Sequence, residues 1–172
     1  MSGIAVKILA ADVVAHLEGT ALRTSDLTRV FQDFKGHMQG SIEKNFAAGG
    51  RPDAWEPLTF ATMVGWISGK KGAFNKSGMT AKGRTAWAGR LPLTAAGVFR
   101  RRATTGASVT ITPRSFQYAV LAPQAALMQF GGWAGRGHKS FIPARPYLVF
   151  QDEDISYLER NILAFITTGS FV

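Results

Sequence analysis

The chain contains no cysteine, which excludes disulfides and thiolate metal sites and fits folding in a reducing cytosol. No apolar run reaches the ~20 residues needed to span a bilayer. Residues Met1 to Leu17 are interrupted by Lys7, Asp12 and His16 and lack a signal-peptide layout, so the expectation is a soluble protein with no membrane partner. His16, His37 and His138 are the three histidines, and none has a ligand-type partner at i+3 to i+5, which argues against zinc. The most telling absence is of negative charge. Between Pro57 and Gln151 there is no Asp or Glu, while thirteen Lys and Arg fall in that stretch. The seven bases outside it, against eleven acids, leave the flanks at −4. Such a one-sign segment attracts polyanions or an acidic protein surface and opposes contact between basic faces.

Catalytic patterns are equally thin. There is no Gly-x-Ser-x-Gly, and Ser77 and Ser140 stand in basic segments without a triad signature. Asp53 and Glu56 are the one close acidic pair outside the expected helices and read as turn caps. The run Gly132 to Ser140 nearly matches a phosphate loop. However, His138 puts Lys139 out of register, Pro143 follows closely, and no acid appears until Asp152. The expectation is a non-enzyme that needs no cofactor and no metal.

What is present suits one domain: 172 residues, 46% hydrophobic, with 19 glycines and a net charge of +9. Ile4, Val6 and Ile8 alternate as a short strand, and Val13, Val14 and Leu17 suggest a short helix, with a connection at Ala21 to Ser25. The clearest element is a helix from about Ser25 to Ala48. Leu27, Val30, Phe31, Phe34, Met38, Ile42 and Phe46 form one stripe, Thr24 or Ser25 is placed to cap it, and Gly49 and Gly50 end it. Gly36 and Gly40 inside it suggest close packing against a neighbour. A short helix is expected at Thr59 to Ile67. From Ser68 to Arg90 periodicity fails, and the reading is a long basic arm anchored by Phe74, Trp66 and Trp87. Further on, the pattern predicts a helix from Thr94 to Arg102 with Val98 and Phe99 inward, strands at Ala107–Thr112 and Phe116–Leu121, and a helical turn at Gln124–Phe130. A flexible loop at about 131–140, a strand at Tyr147–Phe150 and a last helix with Ile155, Leu158, Ile162 and Phe165 buried complete the pattern. The class is α+β, with helices packed on one small, mainly antiparallel sheet.

Candidate contact residues follow from this layout. Lys70, Lys71, Phe74, Lys76, Lys82, Arg84, Trp87 and Arg90 on the arm, with Trp133, Arg136 and Lys139 on the loop, are expected to meet a partner. Arg100, Arg101, Arg102 and Arg114 are candidates for contact with DNA or an acidic partner.

Several segments, read together, resemble one family. Phe46 to Leu58, with Gly49, Pro52, Trp55, Pro57 and Leu58, looks like the F…G…P…W-x-P-L segment of the phage virion morphogenesis (tail completion) family of Mu-like phages and prophages. Leu93 to Arg100 is similar to its L-x-x-T/S-G-x-L element, and Gln129-Phe130-Gly131-Gly132 to its H-Q-F-G-G motif. Ile142 to Leu148 matches I-P-A-R-P-F/Y-L most specifically, through Pro143, Arg145 and Pro146. The order holds from about residue 25 to 166. Met128 departs from the pattern, standing where the family often has histidine.

The resemblance implies a structural virion protein of the phage neck that completes the tail or joins it to the head. It would act as a ring of identical subunits, expected to be hexameric, beside tail-tube, terminator and head-connector proteins, with duplex DNA in the channel. It would be found in the virion and, during assembly, in the host cytoplasm. On that reading Trp55, Pro57 and Leu58 pin the chain to the core, Phe130 with Gly131 and Gly132 makes a packed turn, and Arg145 donates to carbonyls or an acid. A tail terminator ring is a close alternative. A free basic DNA-binding protein is an alternative of a different class, and a hydrolase using Asp53 or Glu56 is a third.

Overall fold

A computed structural model describes residues 10–88, 90–94 and 97–171. The strand expected at Ile4, Val6 and Ile8 lies outside them. In chain order the elements are α1 (Ala10–Ser25), α2 (Thr28–Ala48), α3 (Phe60–Ile67), β1 (Phe74–Asn75), β2 (Gly78–Met79), α4 (Ala81–Trp87), α5 (Val98–Ala103), β3 (Ser108–Thr112), β4 (Ser115–Ala119), α6 (Ala125–Phe130), β5 (Gly132–Ala134), β6 (Ser140–Ile142) and α7 (Asp152–Thr168). The class is α+β, but the expected single sheet is three separate two-stranded ones, β1–β2, β3–β4 and β5–β6. The chain divides into two compact units. One holds residues up to Met38, Val109–Tyr118 and the chain from Asp152; the other holds Gln39–Ser108 and Ala119–Gln151.

In the first unit α1 is longer than the sequence suggests. The expected connection at Ala21 to Ser25 is its last turn. Thr24 and Ser25 do not cap α2; their hydroxyls donate back to the carbonyls of Thr20 (2.9 Å) and Leu22 (2.7 Å). The α2 start is held instead by Asp26, whose carboxylate accepts from the Thr28 amide at 2.9 Å; hydrogen bonding from the Thr28 side chain, and then from this amide, lowers the Asp26 pKa. At the other end of this unit, Arg23 Nε donates to the Ile166 carbonyl at 2.7 Å, placing a cation on the free carbonyls that close α7. Gly169 ends that helix at φ 78°.

The core of this unit is aromatic and partly polar. Phe34 meets Phe116 edge-on at 5.2 Å, and His37 stacks on Tyr157 at 4.0 Å. His37 Nε2 lies 2.8 Å from Asp154 Oδ1. The Tyr157 hydroxyl donates to Asp33 at 2.6 Å, which raises the Tyr157 pKa. These anchors set the face of α7. Asp154, Asn161 and Phe165 are buried, while Ile155, expected inside, is 46% exposed. A periodicity based on apolar residues assigns Asp154 and Asn161 to solvent, so it rotates the helix wrongly.

The second unit is built on the rest of α2. Ile42 and Phe46 are buried, and Phe46, Trp55, Phe99 and Tyr147 form one aromatic cluster with ring centroids 4.9–6.1 Å apart. Gly49 and Gly50 have φ 73° and 119°, as a helix stop requires, and the Trp55 amide donates to the Gly49 carbonyl at 2.7 Å. The expected arm from Ser68 to Arg90 is not an unstructured extension. α3, capped by the Thr59 hydroxyl, is followed by the β1–β2 hairpin and by α4, capped by Thr80. Ile67 and Ala73 are buried there, and Trp66 meets Trp87 edge-on at 6.1 Å. Short elements rich in glycine and bases give no periodic signal, yet these few apolar residues hold them.

Two helix glycines give opposite expectations. Gly36 is exposed with no atom within 4 Å of an added Cβ, so it serves no close packing. Gly36→Ala therefore raises stability by about 1 kcal/mol. In α4 an added Cβ at Gly83 would lie 2.3 Å from the Ala73 carbonyl oxygen. Gly83→Ala consequently lowers stability by about 2 kcal/mol. Urea unfolding of the two variants checks the sign reversal.

Other expectations also shift. α5 starts at Val98 after Gly97 in the left-handed conformation (φ 66°), with no side-chain cap; Thr94 donates instead to the Leu91 carbonyl. Phe99 is buried but Val98 is 45% exposed. The loop expected at 131–140 contains the β5–β6 hairpin, with Trp133 opposite Phe141. Tyr147–Phe150 is not a strand.

Candidate interaction surface

The framework of the surface is a set of backbone groups satisfied by four side chains. Gln129, near the end of α6, accepts from the amides of Tyr147 (3.2 Å) and Leu148 (3.1 Å) and donates to the Leu148 carbonyl (3.0 Å). Its amide therefore occupies the groups a neighbouring strand would use, which is why Tyr147–Phe150 joins no sheet. Trp55 Nε1 donates to the Pro146 carbonyl at 3.0 Å, and Asn45 Nδ2 donates to the carbonyls of Pro146 (3.2 Å) and Tyr147 (3.0 Å). Arg145 is buried. Its guanidinium donates to the carbonyls of Glu56 (3.2 Å) and Pro57 (3.5 Å), and its amide donates to Met128 at 2.7 Å. Burial lowers the Arg145 pKa, and the Glu56 carboxylate opposes that shift. The planar fork of arginine suits two carbonyls from consecutive residues.

Trp55, Pro57, Gln129, Arg145 and Pro146, quoted above for the tail-completion resemblance, thus meet in one place, although they are far apart in sequence. Gly131 shows how tight the joint is. It sits at φ 71°, ψ 178°, and an added Cβ would lie 2.7 Å from Ala144 N and 2.9 Å from Ile142 O. Phe130 departs from expectation: its neighbours pack, but its side chain is 78% exposed.

Beside this joint lies an apolar groove of about 640 Å³, lined among others by Leu58, Trp66, Phe99, Met128, Phe141 and Ile142. Met128 contributes a thioether where a histidine would bring a titratable ring. Arg145 reaches the lining, and no acid or histidine does among the described residues. At the rim, Trp133 and Phe141 pair edge-on at 5.4 Å, and both are mostly exposed. The groove presents apolar surface. Among the described residues no group of three His, Asp or Glu is placed to hold a metal. No helix among them is long and apolar enough to cross a membrane. The groove was not legible in the sequence, because its walls come from residues 58 to 145. Phe141 carried no signal beyond being aromatic.

The bases occupy several places. Lys70 and Lys71 follow α3, Lys76 sits at the β1–β2 turn, and Lys82 and Arg84 lie on α4; all five are exposed. Arg90 donates to the Ala86 carbonyl and lies 5.9 Å from the Trp66 ring centre. Arg100 pairs with Glu43, so it is not free for a partner, while Arg101 and Arg102 are exposed. Arg114 is at the β3–β4 turn, in the other unit. Arg136 and Lys139 are exposed in the loop between β5 and β6. Phe74 and Trp87 are half-buried. Pro57 and Pro143 flank the groove segment with backbone roles.

Comparison with known proteins gives one informative likeness. The chain is 29% identical over 155 residues to the Mu-like prophage FluMu G protein 2 of Haemophilus influenzae, covering 89% of this chain and 88% of that protein. That likeness supports a Mu-like phage protein. No family model matches the chain, and no solved structure matches it.

Proposed function

We propose that this protein is a structural, non-enzymatic component of a Mu-like phage particle. It completes the tail at the neck and joins it to the head as a closed ring of identical subunits. The observation that carries this reading is the exposed Trp133–Phe141 pair beside the apolar groove. Contiguous apolar surface of this kind marks an interaction site, and a rim knob next to a groove suits the head-to-tail interface from which a ring closes. The end-to-end likeness to a Mu-like prophage protein supports the setting. The tail-tube, terminator and head-connector proteins are the neighbours such a ring would touch.

The test is a Trp133→Ser, Phe141→Ser double variant introduced into the phage that encodes the chain. Both side chains are mostly exposed, so the fold loses only about 1 kcal/mol with their edge-on pair. The expected result is a drop of at least about tenfold in complete, infectious particles, since aromatic anchors dominate interfaces. Unjoined heads and tails should be visible by electron microscopy. Normal particle yield with the double variant would overturn the proposed interface.

A further inference from the structure

Five exposed bases are gathered on the compact segment from α3 to α4, and Thr80 ties two parts of it together. Thr80 Oγ1 donates to the carbonyls of Gly72 (2.7 Å) and Ala73 (3.2 Å), which joins the turn after α3 to the start of α4. A Cβ on Gly72 would lie 4.0 Å from Lys82 Nζ. The Lys82 ammonium therefore lies beside the turn that carries the exposed Lys70 and Lys71, so three bases belong to one local surface. None of Lys70, Lys71 or Lys82 pairs with a carboxylate among the described residues. The surroundings cannot relieve the repulsion: the unit holding this segment has fourteen bases and three acids, and those acids, Glu43, Asp53 and Glu56, all precede α3 in sequence. A folded chain that gathers exposed bases without carboxylate partners on this segment, with Lys76 at the hairpin turn and Arg84 on α4, is built for an anion of repeating charge.

We infer that the Lys70–Lys71–Lys82 cluster, with Lys76 and Arg84, binds the phosphate backbone of duplex DNA without reading its sequence. Two arguments favour DNA over an acidic protein and over a single strand. Lysine is depleted at the centres of protein interfaces, yet binds phosphate well as a point charge. The aromatic residues nearest the lysines in sequence are partly engaged: Trp66 and Trp87 pack on each other at 6.1 Å and are half-buried, as is Phe74, while Phe60 at the start of α3 is exposed. Rings engaged with each other are less open to stacking on unpaired bases. Contacts to phosphate alone position a protein on a duplex without specifying sequence. The inference does not depend on the ring; it concerns what the α3–α4 segment touches.

The experiment measures binding of the full chain to a random-sequence 30-base-pair duplex between 50 and 200 mM salt. It compares three proteins of defined charge: wild type, a K70Q/K71Q/K82Q variant, and a control that removes equal charge elsewhere, R101Q/R136Q/K139Q. Each phosphate contact adds about 0.9 to the slope of log affinity against log salt. The cluster variant should therefore lose about 2.7 from that slope and bind at least about tenfold more weakly at 100 mM salt. The control should stay near wild type, and K70R/K71R/K82R should keep binding. Equal losses in both Gln variants would mean that only net charge matters, and would overturn the assignment. So would tighter binding to polyglutamate or to a single strand than to the duplex, or no duplex binding by wild type. None of these results bears on particle assembly, which the rim variant tests separately.

Discussion

Gln129→Leu is expected to lower stability by about 4 kcal/mol, more than most exposed or half-buried changes in this chain. The substitution keeps the volume but removes partners from the Tyr147 amide, the Leu148 amide and the Leu148 carbonyl. A backbone group left unpaired away from water costs about 1–3 kcal/mol, and the Gln129 bonds are part-buried, which keeps the sum toward the lower end. Gln129→Glu separates the contributions. The carboxylate still accepts from both amides but faces the Leu148 carbonyl with no donor, so a loss of about 2 kcal/mol is expected. Urea titrations of the three proteins give the ranking directly. A Leu variant within about 1 kcal/mol of wild type would mean that water replaces the side-chain amide, and that the segment after Pro146 is not held by Gln129.

Gly131→Val should be at least as damaging, at about 4 kcal/mol. Two penalties combine there. The backbone at φ 71°, ψ 178° lies in a region that is essentially glycine's alone, and worst for a β-branched residue. The new Cβ would also press on Ala144 N at 2.7 Å and Ile142 O at 2.9 Å, both backbone atoms that cannot swing aside. Gly132→Ala is the contrast. Its Cβ would meet only the Leu127 Cδ1 methyl at 3.3 Å, although φ 148° still disfavours a side chain. A loss of about 1–2 kcal/mol is expected. Thermal melts of the two variants distinguish a joint that is closed at Gly131 from one that can open, in which case the two would melt together.

The parts of the fold legible in the sequence are those with one dominant signal. The α2 stripe from Val30 to Phe46 is read from its period and is buried as read. The helix expected at Thr59 to Ile67 is α3, with Thr59 as its cap, and Val109 and Ile111 are the half-buried residues of the strand expected at Ala107–Thr112. The misses share a cause, which is that polar or irregular residues do structural work. Asp154 and Asn161 turn the face of α7. Thr24 and Ser25 bond backward and leave Asp26 to hold α2. The bases and glycines of 68–88 hide a hairpin and a helix whose apolar content is little more than Ala73, Phe74, Met79 and Trp87. Tyr147 to Phe150 has the composition of a strand, but its partner is the Gln129 amide, and nothing local announces a partner eighteen residues away. The interaction surface was legible as a set of motifs and not as a place. Trp55, Gln129 and Arg145 stand out one by one, yet the groove they border exists only after the chain has brought residues 58 and 145 together.

The way Gln129 serves Tyr147 and Leu148 has a consequence for behaviour at high local concentration, such as inside a growing virus assembly. Unpaired strand edges invite copies of the same chain to add on, and the addition regenerates the edge so that growth continues. A glutamine amide terminates that sequence. It satisfies the amides of Tyr147 and Leu148 and the Leu148 carbonyl with a group that has no backbone beyond it to offer. Tyr147 and Leu148, in a segment with the composition of a strand, are thereby removed from the surfaces that template fibres, leaving side chains, not main chain, to decide which molecules meet there.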